Sequence, residues 1–252
     1  MTGVQTCALP IWEKLSNEKI ERDESYSIPV EIRNFGCDSP PTLPAWVGRH
    51  AEIDLLDDPE IRVFAITGIG GQGKSALAAR HVESMYGGES DRNWDWRDCR
   101  EEGDTLRTHL IRIVERLTSG AVKGLYFSES KIEEIIDYLF GIIHDKKWIF
   151  VFDNVDHYVD LETNQPILGM KYLINCALTK KHFSKFIFTC RPKLLIDNPL
   201  YFNMILGGLS QSETLELFEK RGVKTETHQI KRAIAEAHSL TNGHPLWINL
   251  IA

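Results

Sequence analysis

Gly68-Ile69-Gly70-Gly71-Gln72-Gly73-Lys74-Ser75 satisfies the pattern G-x-x-x-x-G-K-[ST] at every fixed position. The spacing has a physical purpose. Glycines let backbone N–H groups turn inward as an anion nest, and a helix that follows presents its N-terminus to the same anion. Lys74 brings a point charge to the β- and γ-phosphates of a nucleotide, and Ser75 offers a hydroxyl to Mg²⁺. Such a loop needs a strand before it and a helix after it. Arg62 to Thr67 is a short apolar run, and the stretch from Ser75 to Met85 is rich in Ala and Leu.

A phosphate loop of this kind works with a carboxylate at the end of a neighbouring buried strand, which holds Mg²⁺. Asp153 ends the most hydrophobic run of the chain, Trp148-Ile149-Phe150-Val151-Phe152. Many ATP-hydrolysing proteins carry Glu directly after that Asp to polarise the attacking water. Here the position is Asn154, which points to slow hydrolysis or a nucleotide-held switch. Asp156 is either a substitute for that Glu or a solvated turn residue. Arg191 follows a further strand, Lys185 to Thr189, and so falls at the carboxyl edge of the sheet where α/β ligands bind. There it is either a γ-phosphate sensor or a surface Arg before Pro192.

The elements that position these residues alternate. Strands are expected at 62–67, 93–96, 148–152, 185–189 and 202–206, and helices at 75–85, 105–117 and 128–143. Leu106, Leu110, Ile113 and Leu117 give the second helix its apolar stripe, and Ser128-Glu129-Ser130 is the expected cap of the third. Trp94 and Trp96 are expected core aromatics. Right-handed crossovers then give a mostly parallel five-stranded sheet covered on both faces, an α/β three-layer sandwich. After Leu209 the pattern turns helical, over 210–221, 227–240 and from Pro245 onward. The expected division is a linker at 13–44, an α/β domain at 45–209 and a helical lid domain at 210–252.

Composition sets the outer limits. The chain has 252 residues, 42% hydrophobic and 26% charged, which excludes wholesale disorder and suits one domain plus part of a second. A net charge of −7 argues against broad electrostatic binding to nucleic acid or anionic lipid. No apolar run approaches a membrane span. Cys7, Cys37, Cys99, Cys176 and Cys190 show neither C-x-x-C pairing nor a metal-ligand spacing with His, and read as reduced thiols of a cytoplasmic protein. Residues 1–12 resemble translated sequencing-adapter read-through, and the chain stops inside an apolar run at Ala252. A fragment open at both ends is the expectation.

Taken together these motifs resemble the STAND class of signalling P-loop NTPases, and within it the NB-ARC type, from about Leu43 to Ala252. Pro44-Ala45-Trp46-Val47-Gly48-Arg49 is similar to the entry motif that wraps adenine and ribose. Phe152-Asp153-Asn154-Val155-Asp156 resembles the metal-binding strand, and Phe188-Thr189-Cys190-Arg191-Pro192 the sensor segment. Leu206-Gly207-Gly208-Leu209-Ser210 resembles the crossing into the helical domain, and Gly243-His244-Pro245-Leu246 the Gly-x-Pro motif. The resemblance implies an ATP or ADP site built from Val47, Gly48, Arg49, Gly68, Gly70, Gly71, Gln72, Gly73, Lys74, Ser75, Ala76, Arg191 and Pro245. It implies Mg²⁺ on Ser75 and Asp153, and a catalytic group of Lys74, Asp153, Asp156 and Arg191. Such proteins exchange ADP for ATP on receiving a signal from an upstream ligand, and the ATP form assembles into homo-oligomers that activate an effector. The alternatives are a nucleotide-dependent transcription regulator and an AAA-like DNA initiator or loader.

Overall fold

The computed structural model describes residues 37–84, 93–100 and 106–252. Expectations for residues 1–36, for Met85 and for Thr105 lie outside the described residues.

Five short runs rich in β-branched and aromatic residues form one parallel sheet. They are β1 (Val63–Thr67), β2 (Asn93–Asp98), β3 (Trp148–Asp153), β6 (Lys185–Cys190) and β7 (Tyr201–Ile205), in spatial order β2-β3-β6-β1-β7. A two-stranded antiparallel hairpin, β4 (Val159–Asp160) and β5 (Gln165–Pro166), stands apart and was not expected from the sequence. The helices in chain order are α1 (His50–Leu56), α2 (Lys74–Ser84), α3 (Leu106–Leu117), α4 (Ile132–Ile143), α5 (Leu168–Thr179), α6 (Gln211–Lys220), α7 (His228–Thr241) and α8 (Pro245–Ile251).

Strand alternation divides the apolar residues between two layers. Val63, Ala65, Phe150, Phe152, Phe186 and Phe188 face α3, α4 and α5, with Phe150 on Phe186 at 5.0 Å and Phe152 on Phe188 at 5.4 Å. Phe64, Ile66, Trp94, Trp96, Val151 and Ile187 face the opposite layer, packed with Leu56 of α1 and with Leu77, Ala78 and Val82 of α2. Both faces are therefore covered, as a parallel sheet requires.

A third, smaller core joins the helical part to the entry segment: Val47, Leu209, Leu217, Phe218, Ile234 and Ile248. Ser210 opens α6 with a reciprocal cap, its Oγ accepting the Glu213 N–H at 3.2 Å while Glu213 Oε2 accepts the Ser210 N–H at 2.6 Å.

Several local expectations need correction. The helix expected from Ser128 begins at Ile132, because Gly124–Phe127 forms a separate 3₁₀ turn and Ser128 closes it. Helix α5 was missed because its polar stripe of Lys171, Asn175 and Thr179 is narrow against seven buried residues, so the helical period is faint. Residues 37–44 are not free linker. The Asp38 N–H donates to Trp96 O at 3.0 Å along the β2 edge, and Cys37 and Leu43 pack on the second core.

Within β2 and α3 lies a buried charge cluster. Arg97, fully buried, holds Asp95 at 2.5 Å, and Arg116 reaches the same carboxylate at 2.7 Å. No helix among the described residues is long and apolar enough to cross a membrane.

Candidate functional site

The phosphate loop joins β1 to α2. Gly68, Gly71 and Gly73 hold φ values of +143°, +80° and +90°, a backbone that side chains resist and that turns the loop around a central hollow. Lys74 Nζ donates to the carbonyls of Gly68 at 2.8 Å and Ile69 at 2.9 Å. Burial lowers the Lys74 pKa, while the Asp156 charge pulls it back up.

Strand β6 lies between β1 and β3, so the carboxylate strand is not the immediate neighbour of the loop strand. Asp153 nevertheless reaches the loop, its Oδ1 accepting the Ser75 hydroxyl at 2.6 Å. The Thr189 hydroxyl of β6 donates to the same oxygen. Only 2% exposed, Asp153 has a raised pKa because burial disfavours its charge, while the two hydroxyls work in the other direction.

Asn154, in the left-handed region at φ +60°, folds its amide back onto the strand ends. Its Nδ2 donates to Asp153 Oδ2 at 3.0 Å and to Asp98 Oδ1 at 3.1 Å. Asp156 accepts the Arg191 N–H at 2.9 Å and faces Arg191 Nε at 4.0 Å. Neither reading of Asp156 made from sequence, a substitute for the Glu or a solvated turn residue, included what the geometry shows, an anchor for the Arg191 segment. The Arg191 side chain itself is 75% exposed. Burial pushes the nearby Cys190 thiol up to about 12, and the thiol stays neutral beside Lys74.

These groups open on a cleft of about 800 Å³. Of the residues expected from sequence, Val47, Arg49, Gly70, Gly71, Gln72, Gly73, Lys74, Ser75, Ala76, Asp156, Arg191 and Pro245 line it. Gly48, Gly68 and Asp153 do not, and each stands one layer behind. Gly48 packs on Glu213, Gly68 carries the carbonyl held by Lys74, and Asp153 acts through Ser75. Arg49 spends its guanidinium on Glu52 at 2.9 Å and on the Gly207 carbonyl at 2.5 Å.

The opposite wall comes from the helical part. His244 Nε2 meets Gly70 O at 2.9 Å, and the Leu246 N–H donates to Gly71 O at 3.3 Å. A methyl group on Gly71 would stand 2.6 Å from the His244 ring, so the contact leaves no room for a side chain. Trp46, Arg100, His157, Arg221 and Asn249 also line the cleft and were missed. Trp46 lies inside the entry motif and His157 beside Asp156, whereas Arg100, Arg221 and Asn249 carry no local pattern that could have revealed them.

The donor set suits a hard cation: a serine hydroxyl and a carboxylate oxygen 2.6 Å apart. Ser75 and Asp153 therefore fit Mg²⁺ beside phosphates.

Comparison with known proteins bears on the same residues. The NB-ARC domain family matches residues 49–228. A STAND (signal transduction ATPase with numerous domains) protein with a tetratricopeptide-repeat sensor from Pyrococcus horikoshii is similar in structure. Its TM-score is 0.60 at 23% identity, over 88% of this chain and 31% of that one. Drosophila ORC bound to DNA is similar with a TM-score of 0.55 at 13% identity, over 100% of this chain and 63% of that one. At these identities the likeness is one of fold, and the chain spans under two thirds of either structure. No curated protein sequence matches. With the phosphate loop, the Asp153 strand and Arg191 all inside the matched span, the chain belongs to the NB-ARC domain family.

Proposed function

We propose that the chain is the nucleotide-binding core of an ATP/ADP switch. ADP holds the closed form, exchange for ATP follows a signal from an upstream ligand, and the ATP form favours homo-oligomeric assembly. One observation carries most of this reading. The cleft has the phosphate loop on one wall and the helical part on the other, with His244 and Leu246 seated on the loop's own carbonyls. A nucleotide in that cleft touches both walls and biases their arrangement by its differential affinity for the two states.

Lys74 places its charge on the β- and γ-phosphates, and the amides of Gly70 to Ser75 surround them. Ser75 and Asp153 hold Mg²⁺, which neutralises phosphate charge when bound. Thr189 keeps Asp153 pointed at Ser75, and Arg191, which lines the same cleft, is the cation assigned to the γ-phosphate. Asn154 has no carboxylate to polarise water, and its amide is committed to Asp153 and Asp98. Hydrolysis is accordingly slow. A net charge of −7 speaks against the DNA initiator or loader reading.

The test is to purify the chain, denature it and identify any released nucleotide by chromatography, then to titrate ADP and ATP into the emptied protein. Stoichiometric ADP is the expected result. Lys74→Ala should lose affinity for both nucleotides, and Asp153→Ala should lose the Mg²⁺ dependence. A chain that carries no nucleotide and binds none refutes the reading.

A further inference from the structure

A second arginine stands at the phosphate end of the cleft, outside every motif recognised in the sequence. Arg100 follows β2 by two residues and lines the same cleft as the phosphate loop and Arg191. Its side chain is 70% exposed. Asp98 holds it twice. The Arg100 N–H donates to Asp98 Oδ1 at 3.1 Å, and Arg100 Nη2 lies 3.2 Å from Asp98 Oδ2.

Asp98 is itself tied to the metal-binding carboxylate. The β2–β3 register sets Asp98 beside Asp153, and the Asn154 amide spans both carboxylates. The Arg100 charge is close enough to Asp153 to favour its ionised form. A chain of polar contacts thus runs from Ser75 through Asp153, Asn154 and Asp98 to a guanidinium that remains in solvent. The arrangement repeats that of Arg191 on Asp156: an arginine at a strand end, exposed, and anchored by an aspartate.

We propose that Arg100 is a second phosphate-reading cation of this cleft, selecting a nucleoside triphosphate over a diphosphate, with Asp98 as its positioning residue. The proposal rests on the nucleotide reading given above. Asp98 and Asp153 stand behind this end of the cleft and Asp156 lines it, three carboxylates against Lys74, Arg191 and the Mg²⁺ that Ser75 and Asp153 would hold. A terminal phosphate adds further negative charge there, and Arg100 is the exposed cation on the β2 side that can meet it. A guanidinium has five donors in a planar fork, so it can keep one edge on Asp98 and turn the other to phosphate. An exposed ion pair is weak, so loosening the Asp98 contact opposes this little.

The experiment compares the full chain with Arg100→Ala, Arg100→Lys and Asp98→Asn. Calorimetric titration uses ADP and the slowly hydrolysed analogue ATPγS, both with Mg²⁺, alongside a melting curve without nucleotide. Arg100→Ala should weaken ATPγS about tenfold to a hundredfold, the range of a lost charged hydrogen bond. ADP affinity should stay within about twofold and the melting temperature should not move, because the side chain is exposed. Arg100→Lys keeps the charge without the fork and should fall between, as should Asp98→Asn. Equal losses for both nucleotides, or none for either, would overturn the assignment. A wild-type chain that binds neither nucleotide refutes the site as a whole, which the same titrations reveal before any variant is compared.

Discussion

Replacing single glycines of the phosphate loop by alanine separates backbone strain from contact with the helical part. Gly70 has no positive φ and open space where a Cβ would stand, so Gly70→Ala should leave stability within about 0.5 kcal/mol. Gly73 also has open space but sits at φ +90°, so Gly73→Ala should cost about 1–2 kcal/mol of backbone strain. Gly71 has both problems. Its φ is +80°, and a Cβ would lie 2.6 Å from His244 Cε1 and 2.8 Å from Leu246 Cβ.

To the strain at Gly71, overpacking adds about 1–3 kcal/mol. Displacing residues 244–246 also endangers two hydrogen bonds, each contributing about 1 kcal/mol. Gly71→Ala should therefore cost about 3–5 kcal/mol, some 2 kcal/mol more than Gly73→Ala. With a urea slope of about 2 kcal/mol per M, that gap separates their midpoints by about 1 M. The assay is urea unfolding of the nucleotide-free chain, followed by tryptophan fluorescence. Equal midpoints for Gly71→Ala and Gly73→Ala would show that nothing presses on Gly71 and would refute the seating of the helical part on the loop.

Two further outcomes follow from buried charge. Burial raises the Asp153 pKa in the folded chain, so the ionised form costs stability that is absent at low pH and grows as pH rises through the folded pKa. Without divalent cations, Asp153→Asn should therefore gain stability relative to the unaltered chain as pH rises above the ordinary carboxylate range of about 4. A difference that stays flat with pH in urea titrations would refute the cause assigned to the shift. Asp95→Ala removes the carboxylate shared by Arg97 and Arg116 and should cost about 3–5 kcal/mol, read as a lower urea midpoint. A change below about 1 kcal/mol would mean that the charges relax into water.

What could be read from the sequence was what lies contiguous in it. The phosphate loop carries its anion nest, lysine and hydroxyl within eight residues, and Asp153 ends a run too apolar to be anything but a buried strand. All five parallel strands were visible for the same reason. Of the cleft's second wall, only the Gly243–Leu246 motif was legible. Arg100, Arg221 and Asn249 meet the loop only after the chain has folded, and no spacing connects them. Asn154 illustrates the limit within a motif: its identity argued against fast hydrolysis, but the clamp between Asp98 and Asp153 depends on a φ of +60° and on the pairing of β2 with β3. Residues 41–43 read as the end of a proline-rich linker, yet they line the cleft together with the entry motif that begins at Pro44.

The seat of His244 and Leu246 on the carbonyls of Gly70 and Gly71 has a consequence at a distance. Coupling between two sites is reciprocal: whatever factor nucleotide binding applies to the seated arrangement, an agent stabilising that arrangement returns to the nucleotide. On the proposed reading, a molecule that grips the outer surface of α7 or α8, favours the seated arrangement and never enters the cleft shifts nucleotide affinity by the same factor. Labelled nucleotide then reports such a molecule whatever its chemistry.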